Sequence, residues 1–297
     1  MEEATMEMIK ERAAPRVERL NEALGARMVG FDLSKPLSRS DIETILKAFA
    51  EHAVLVFHGQ KLEPADLSRF TRHFGPLEVH HMAELPFPDF PEVRILSNVR
   101  KDGKLIGANR AGRHWHSDLS YLDETGLATF LYCVETPPAG GNTKFADMAA
   151  AYEALPKEMK RKVDGRTAIH DRNFRYSELY PDRKPLTPEQ IAAVPPSEHP
   201  LVIQHPVTGR KALFVAKDVV SHIVGMEETE SRALIDALEA FATQDRFVYS
   251  HPWQVGDLVV WDNRSTLHQA TPYDEAEYRR IMYRTQCKGS VPIPAVA

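Results

Sequence analysis

Arg113-His114-Trp115-His116-Ser117-Asp118-Leu119-Ser120-Tyr121 is the stretch around which this chain reads most coherently. His116 and Asp118 stand two positions apart. In an extended segment, side chains at i and i+2 share a face, so an imidazole and a carboxylate converge on one point. Two histidines and one carboxylate on one face of an ion, with the opposite face open, suit a non-haem ferrous ion. The second imidazole must come from elsewhere in the chain, because a His-x-Asp pair alone is a common accident of sequence.

Outward from that stretch, the texture is mainly β. Residues 93–99 and 127–134 read as strands, the second stopped by Pro137-Pro138-Ala139-Gly140-Gly141. Upstream, Ser40-Asp41-Ile42-Glu43 has the serine and glutamate of a capping box, which predicts a helix to about His52. A buried strand over 53–57 and a helix over 63–73 follow. Residues 76–91, rich in proline and holding His80 and His81, read as an ordered loop. Downstream, Asp147 caps a short helix, and 172–200 form a polar excursion over the surface, with the character of a lid. Strands are expected at 201–205, 212–215, 246–251, 257–261 and 279–286, with a helix over 229–243. Short strands with turn signals and few helices favour one α+β domain, mainly β, around a β-sandwich or jelly roll. The absence of a βαβ rhythm and of a glycine-rich phosphate loop argues against a doubly wound sheet.

Composition narrows the function. The chain has 297 residues, 43% hydrophobic and 27% charged, the balance of a globular enzyme or binding protein. Its net charge of −5 comes from interspersed acids and bases, so neither nucleic acid nor membrane is an expected partner. Cys133 and Cys287 lie far apart in sequence and outside any metal-ligand spacing, which fits a reduced, cytoplasmic setting. Met1-Glu2-Glu3-Ala4 places acids where a signal peptide would carry lysines. The expected organisation is a loosely attached leader over 1–24, a single domain over 25–290 and a tail over 291–297.

Near the C-terminus, a strand ends in Trp261-Asp262-Asn263-Arg264, and His268 follows just beyond the turn. Twelve residues after His268 stands Arg280, within Arg279-Arg280-Ile281-Met282-Tyr283-Arg284. As a strand this puts Arg280, Met282 and Arg284 on one face. Two guanidinium groups on an inward face are costly unless anions meet them, so small acidic molecules are implied.

With these blocks in hand, the chain resembles the TauD/TfdA family of Fe(II)- and 2-oxoglutarate-dependent dioxygenases. The resemblance rests on Trp115-His116-Ser117-Asp118, Pro137 to Thr143, Ala151-Tyr152-Glu153-Ala154-Leu155, Trp261 to Arg264 with His268, and Arg279-Arg280-Ile281-Met282, and spans about residues 25–288. It implies a double-stranded β-helix with flanking helices, Fe(II), 2-oxoglutarate and O₂ as requirements, and a homo-oligomer, dimer or tetramer. It assigns His116, Asp118 and His268 to the metal, Arg280 and Thr143 to the distal carboxylate of 2-oxoglutarate, and Arg284 and His80 to the substrate. The tyrosine and one phenylalanine of a taurine pocket fall on Ala83 and Val219. The substrate expected is therefore a small anionic molecule other than taurine, an aryloxyalkanoate-type carboxylate, cleaved after hydroxylation. A taurine, alkylsulfonate or alkylsulfate dioxygenase of the same family is the alternative. A third reading, of a different class, is a β-helix that binds a metal and an organic acid without oxidising anything. On the bland side, His114, His170, His205 and His251 read as structural, and Asn263 and Arg264 as turn-fixing residues.

Overall fold

Two stretches with almost no polar residue, Val54–Phe57 and Leu258–Asp262, lie at the middle of the molecule as paired antiparallel strands. A strand can be apolar at every position only when both faces of its sheet are covered, and that is the arrangement found. In the computed structural model, which describes residues 14–79, 87–181 and 183–295, these strands belong to a seven-stranded sheet. Its order is Arg16–Arg19, Ala26–Val29, Val54–Phe57, Leu258–Asp262, Gly126–Glu135, Ile281–Lys288 and Arg94–Ser97, with one parallel pair, Ala26–Val29 on Val54–Phe57. A smaller antiparallel sheet, Val248–His251, Thr143–Asp147 and Thr266–Ala270, faces it.

Side-chain parity assigns each residue to a layer. Val54, Val56, Leu131, Cys133, Val259, Trp261 and Met282 point inward and pack with Phe145 of the small sheet. Their neighbours Leu55, Phe57, Phe130, Tyr132, Leu258 and Val260 point outward. There they meet Ile45, Ala48 and Phe49 of the helix Arg39–His52 and Leu67 and Phe70 of the helix Pro64–Thr71. On the far side of the small sheet, the helices Met148–Ala154 and Glu228–Ala242 enclose a third apolar cluster. A sheet sandwich with helices outside agrees with the mainly β expectation of a jelly roll with flanking helices.

Several local expectations shift. The first helix starts at Arg39, capped by Ser38, whose hydroxyl and the Asp41 carboxylate form the reciprocal box; an Asp three residues on serves as well as the Glu43 reading. Arg16–Arg19, inside the expected loose leader, pairs along its whole length with Ala26–Val29 and so becomes the edge of the large sheet. Residues 172–200 carry the helical turns Tyr176–Leu179 and Pro188–Ala192, then the strand Ser197–Pro200, which pairs with Thr167–His170.

Candidate active site

His268 sits in the middle of Thr266–Ala270, and the backbone of His116 is paired directly opposite it. His116 N–H donates to the His268 carbonyl at 3.1 Å, and His268 N–H donates back at 2.8 Å. Two residues that exchange both hydrogen bonds in an antiparallel pair put their side chains on the same face. The two imidazoles are accordingly 4.1 Å apart, centroid to centroid. The histidine foreseen beyond the Asp-Asn turn therefore reaches the site by strand register across 152 residues of chain, as the backbone bridge from 116 to 268 shows.

Asp118 arrives differently. The sequence pattern predicts an extended His-x-Asp, whereas residues 118–120 turn sharply and buried Leu119 takes φ +59°. A left-handed backbone at a buried leucine is costly and persists only when its surroundings enforce it. Those surroundings are legible. Asn263 accepts a hydrogen bond from Asp118 N–H, its carbonyl accepts one from Ser117, and Gly126 lets the Asp118 backbone approach to where a Cβ would stand 2.9 Å from its carbonyl oxygen. The result aims the two carboxylate oxygens at the two imidazoles, each 3.7 Å from an Nε2. One ligand atom from each residue lies within 4.8 Å of the others. Gly112 permits a close backbone approach to His116, since a Cβ there would stand 3.0 Å from its ring.

Charge and hydrogen bonding prepare this trio for a cation. Burial disfavours the Asp118 carboxylate, but His268, Arg284, His116 and the Thr129 hydroxyl outweigh it and hold the group well below the usual range. Burial and the neighbouring His116 keep His268 far below an ordinary histidine, so it stays neutral. His116 bonds through Nδ1 to the His114 carbonyl at 2.8 Å, which leaves Nε2 for a ligand role. A neutral imidazole and an ionised carboxylate are the protonation states a divalent ion requires. The donor set fits Fe(II). Behind it, Thr129 donates to Asp118 at 2.7 Å and accepts from Asn263 and Gln286. The Asn263 side-chain oxygen also accepts from Trp261.

A cavity of about 420 Å³ opens over the trio, lined on its inner side by Thr143, Arg280 and Arg284. Arg280 and Arg284 share the inward face, as the strand pattern predicts, while Arg279 turns out to Glu135. The Nε atoms of Arg280 and Arg284 are buried without a hydrogen-bond partner. Thr143 accepts a hydrogen bond from Trp253 at 3.0 Å, so its own hydroxyl proton is free to turn to a ligand. Two buried, under-satisfied guanidinium groups at the closed end of a cavity mark where carboxylates fit. The structure thus brings His116, Asp118, His268, Thr143, Arg280 and Arg284 to one cavity; His80 lies outside the described residues. Sequence reasoning missed Thr129, a threonine in a largely apolar strand, and Arg94, a cation between Val93 and Ile95; each is a break in pattern that signals a second role. Of the histidines read as structural, His205 and His251 hydrogen-bond to Asp262 and Asp257, and His170 stacks on Phe214. His114 lines the cavity.

A jelly roll carrying a two-histidine, one-aspartate cluster beside a buried arginine is the architecture of a ferrous dioxygenase that consumes an organic acid. The chain belongs to the "Taurine catabolism dioxygenase TauD, TfdA" family, whose family model matches residues 16–286. It is 36% identical to the alpha-ketoglutarate-dependent 2,4-dichlorophenoxyacetate dioxygenase of Cupriavidus pinatubonensis, over 92% of this chain and 97% of that one. It is 34% identical to the (S)-phenoxypropionate/alpha-ketoglutarate-dioxygenase of Sphingobium herbicidovorans, over 91% and 93%. The solved structure of AAD-2 in complex with Mn(II) and N-oxalylglycine superposes with a TM-score of 0.80 at 30% identity, covering 96% of this chain and all (100%) of that one. The protein is an enzyme, an Fe(II)- and 2-oxoglutarate-dependent dioxygenase, with O₂ as its oxidant. Among the described residues, no helix is long and apolar enough to cross a membrane.

Proposed function

We propose that the enzyme hydroxylates an aryloxyalkanoate-type carboxylate next to its ether oxygen, after which the product breaks at the C–O bond. The balance is R–H + 2-oxoglutarate + O₂ giving R–OH + succinate + CO₂. Bound ferrous iron would supply the oxidising chemistry. The observation that carries the reading is the convergence of the His116, Asp118 and His268 ligand atoms within 4.8 Å beneath a cavity that also holds Arg280 and Arg284.

In this reading His116, Asp118 and His268 hold the iron. Arg280, with the Thr143 hydroxyl, takes the distal carboxylate of 2-oxoglutarate: a guanidinium fork matches a carboxylate bidentately, and its burial makes an unpaired state costly. Arg284, whose Nη1 stands 3.7 Å from Asp118, draws the substrate's carboxylate close to the metal side of the cavity. Leu96, Leu122, Leu131 and Tyr121 give the ring an apolar wall and exclude water. His80, six residues after Phe74 in the sequence, contributes a substrate contact. A single domain over 25–290, assembly into a dimer or tetramer and a cytoplasmic location complete the proposal.

The test is 2-oxoglutarate-dependent turnover of phenoxyacetate against taurine, read as succinate and phenol, with anaerobic shifts of the metal-to-ligand absorption band reporting binding. Phenol release from phenoxyacetate is expected. Brisk taurine turnover with none on aryloxy acids overturns the substrate assignment and leaves the dioxygenase intact.

A further inference from the structure

We propose that Arg94 is a second substrate-anchoring cation and, with Arg284, selects a substrate whose head group carries two negative charges, such as a phosphonate or a geminal dicarboxylate. The inference rests on the substrate reading of Arg284 given above and deepens it.

Arg94 and Arg284 are direct partners across the Arg94–Ser97 and Ile281–Lys288 strands. Directly opposed residues share a face with Cβ atoms about 5 Å apart. Both line the cavity, and the next inward pair, Leu96 opposite Met282, keeps the same parity. Like charges set opposite one another in a sheet are destabilising unless something bridges them. The consequence is visible in Arg94, which burial and the neighbouring Arg284 push down to about 10, still protonated at neutral pH. Asp118, 3.7 Å from Arg284, is the carboxylate within ion-pair range of this pair among the described residues, and it faces both imidazoles of the metal cluster. The Arg94 side chain makes no hydrogen bond or ion pair with a described residue, and Arg284 Nε is buried without a hydrogen-bond partner. The other acids at the cavity wall are committed: Glu78 to Lys288 and Asp218 to Arg175.

Counting charge at the loaded site leaves a definite remainder. A ferrous ion, the Asp118 carboxylate, a 2-oxoglutarate dianion and Arg280 sum to zero, so Arg94 and Arg284 stand as two cations that this count leaves without a counter-charge. A singly charged carboxylate neutralises one of them. A compact dianion neutralises both, and its three or four oxygens match the two guanidinium forks. Arg172 and Arg183, also at the cavity, lie over the rings of Tyr121 and Tyr180, and Arg172 adds its repulsion to that of Arg284 on Arg94, which sharpens the demand for negative charge there.

Calorimetry on the Mn(II)-loaded enzyme with 2-oxoglutarate, without O₂, tests this with three probes: phenoxyacetate, phenoxymethylphosphonate and phenoxymalonate. The two dianions are expected to bind at least about tenfold more tightly than phenoxyacetate. Arg94→Met should weaken them by about thirtyfold while changing phenoxyacetate a few-fold. Arg94→Lys, which keeps the charge and the strand, should restore most of the preference and separates lost charge from lost folding. Tighter phosphonate than malonate, or the reverse, identifies which dianion fits; both outcomes support the charge rule. Equal affinity for all three, binding by none, or an unchanged ratio in Arg94→Met overturns it. Succinate formation measured on the same preparations is a separate readout, so loss of the dioxygenase reading and loss of the charge rule give different results.

Discussion

The closed end of the cavity and its mouth are built from different materials. At the closed end, functional side chains are carried by paired strands or by segments bonded to them: His268 and Thr143 by the small sheet, His116 by its backbone bridge to His268, Arg284 by the large sheet, and Arg280 just before that strand, its N–H held by the Asn98 side chain. At the mouth, Tyr176, Leu179, Tyr180, Arg183 and Val194 come from the segment of short helical turns between the strands Thr167–His170 and Ser197–Pro200. Hydrogen-bonded strand register holds the first set, whereas the second set has only the local bonds of its own helical turns and ring and cation contacts. The difference teaches that the reaction is fixed by the sandwich and the choice of substrate by what is laid over it.

If that division is right, damage at the closed end stops chemistry for any substrate. Asp118→Ala removes the one anion among the three ligands and should reduce 2-oxoglutarate-dependent succinate formation to the protein-free rate, with the far-ultraviolet circular dichroism unchanged. Retained turnover would break the comparison at its root. Arg280→Ala comes next. It deletes a buried cation whose Nε has no other partner, and should raise the KM for 2-oxoglutarate roughly a hundredfold, since losing one side of a buried charge pair costs about 2–5 kcal/mol. The effect should be independent of the primary substrate used.

Thr129→Val probes the support behind the ligands. The swap keeps the shape and removes the hydroxyl that donates to Asp118 and accepts from Asn263 and Gln286. Metal affinity, measured by chelator competition, should fall about tenfold to a hundredfold. Acid gives a comparable effect by another route. Asp262 is buried, which disfavours its charge, yet Arg264 and His205 pull it down to about 2 from an ordinary 3.8. A depressed carboxylate contributes stability that is full above the ordinary value and lost as the pH falls from about 4 through about 2. The loss is about 2 kcal/mol. Because Asp262 precedes the Asn263 turn that holds Asp118, Asp262→Asn should flatten the acid limb of the unfolding profile between those pH values.

The two ends also differ in how well sequence foretold them. His116, Asp118, His268, Arg280 and the parity of Arg284 are legible because strand alternation and a family-like spacing act on few residues at a time. The extended geometry expected of His116 and Asp118 fails at Leu119, since a turn enforced by Asn263, far off in the sequence, and by Gly126 overrides the local pattern. Arg94 escapes notice because its meaning depends on Arg284 lying opposite, a register set by the whole sheet. The mouth is the least legible part: residues 172–200 look polar and irregular, and only the folded chain shows that Tyr176, Leu179 and Tyr180 face the cavity.

The mouth should therefore respond weakly and selectively. Tyr180 lies under the Arg183 guanidinium at 4.1 Å and edge-to-face with the His114 ring at 6.0 Å, so it joins the segment above the cavity to the metal end through its ring. Such contacts contribute about 0.5–1 kcal/mol each. Tyr180→Ala should raise the KM for an aryloxy acid about threefold to tenfold, by that contact and the lost wall of the cavity. The KM for 2-oxoglutarate and the slow turnover of 2-oxoglutarate without substrate should stay within about twofold, as for a distant, independent site. Tyr180→Phe should behave as the parent, because the ring and not the hydroxyl makes both contacts. A variant that instead lost 2-oxoglutarate binding would show that the covering segment is part of the catalytic frame, and the separation between the two ends would dissolve.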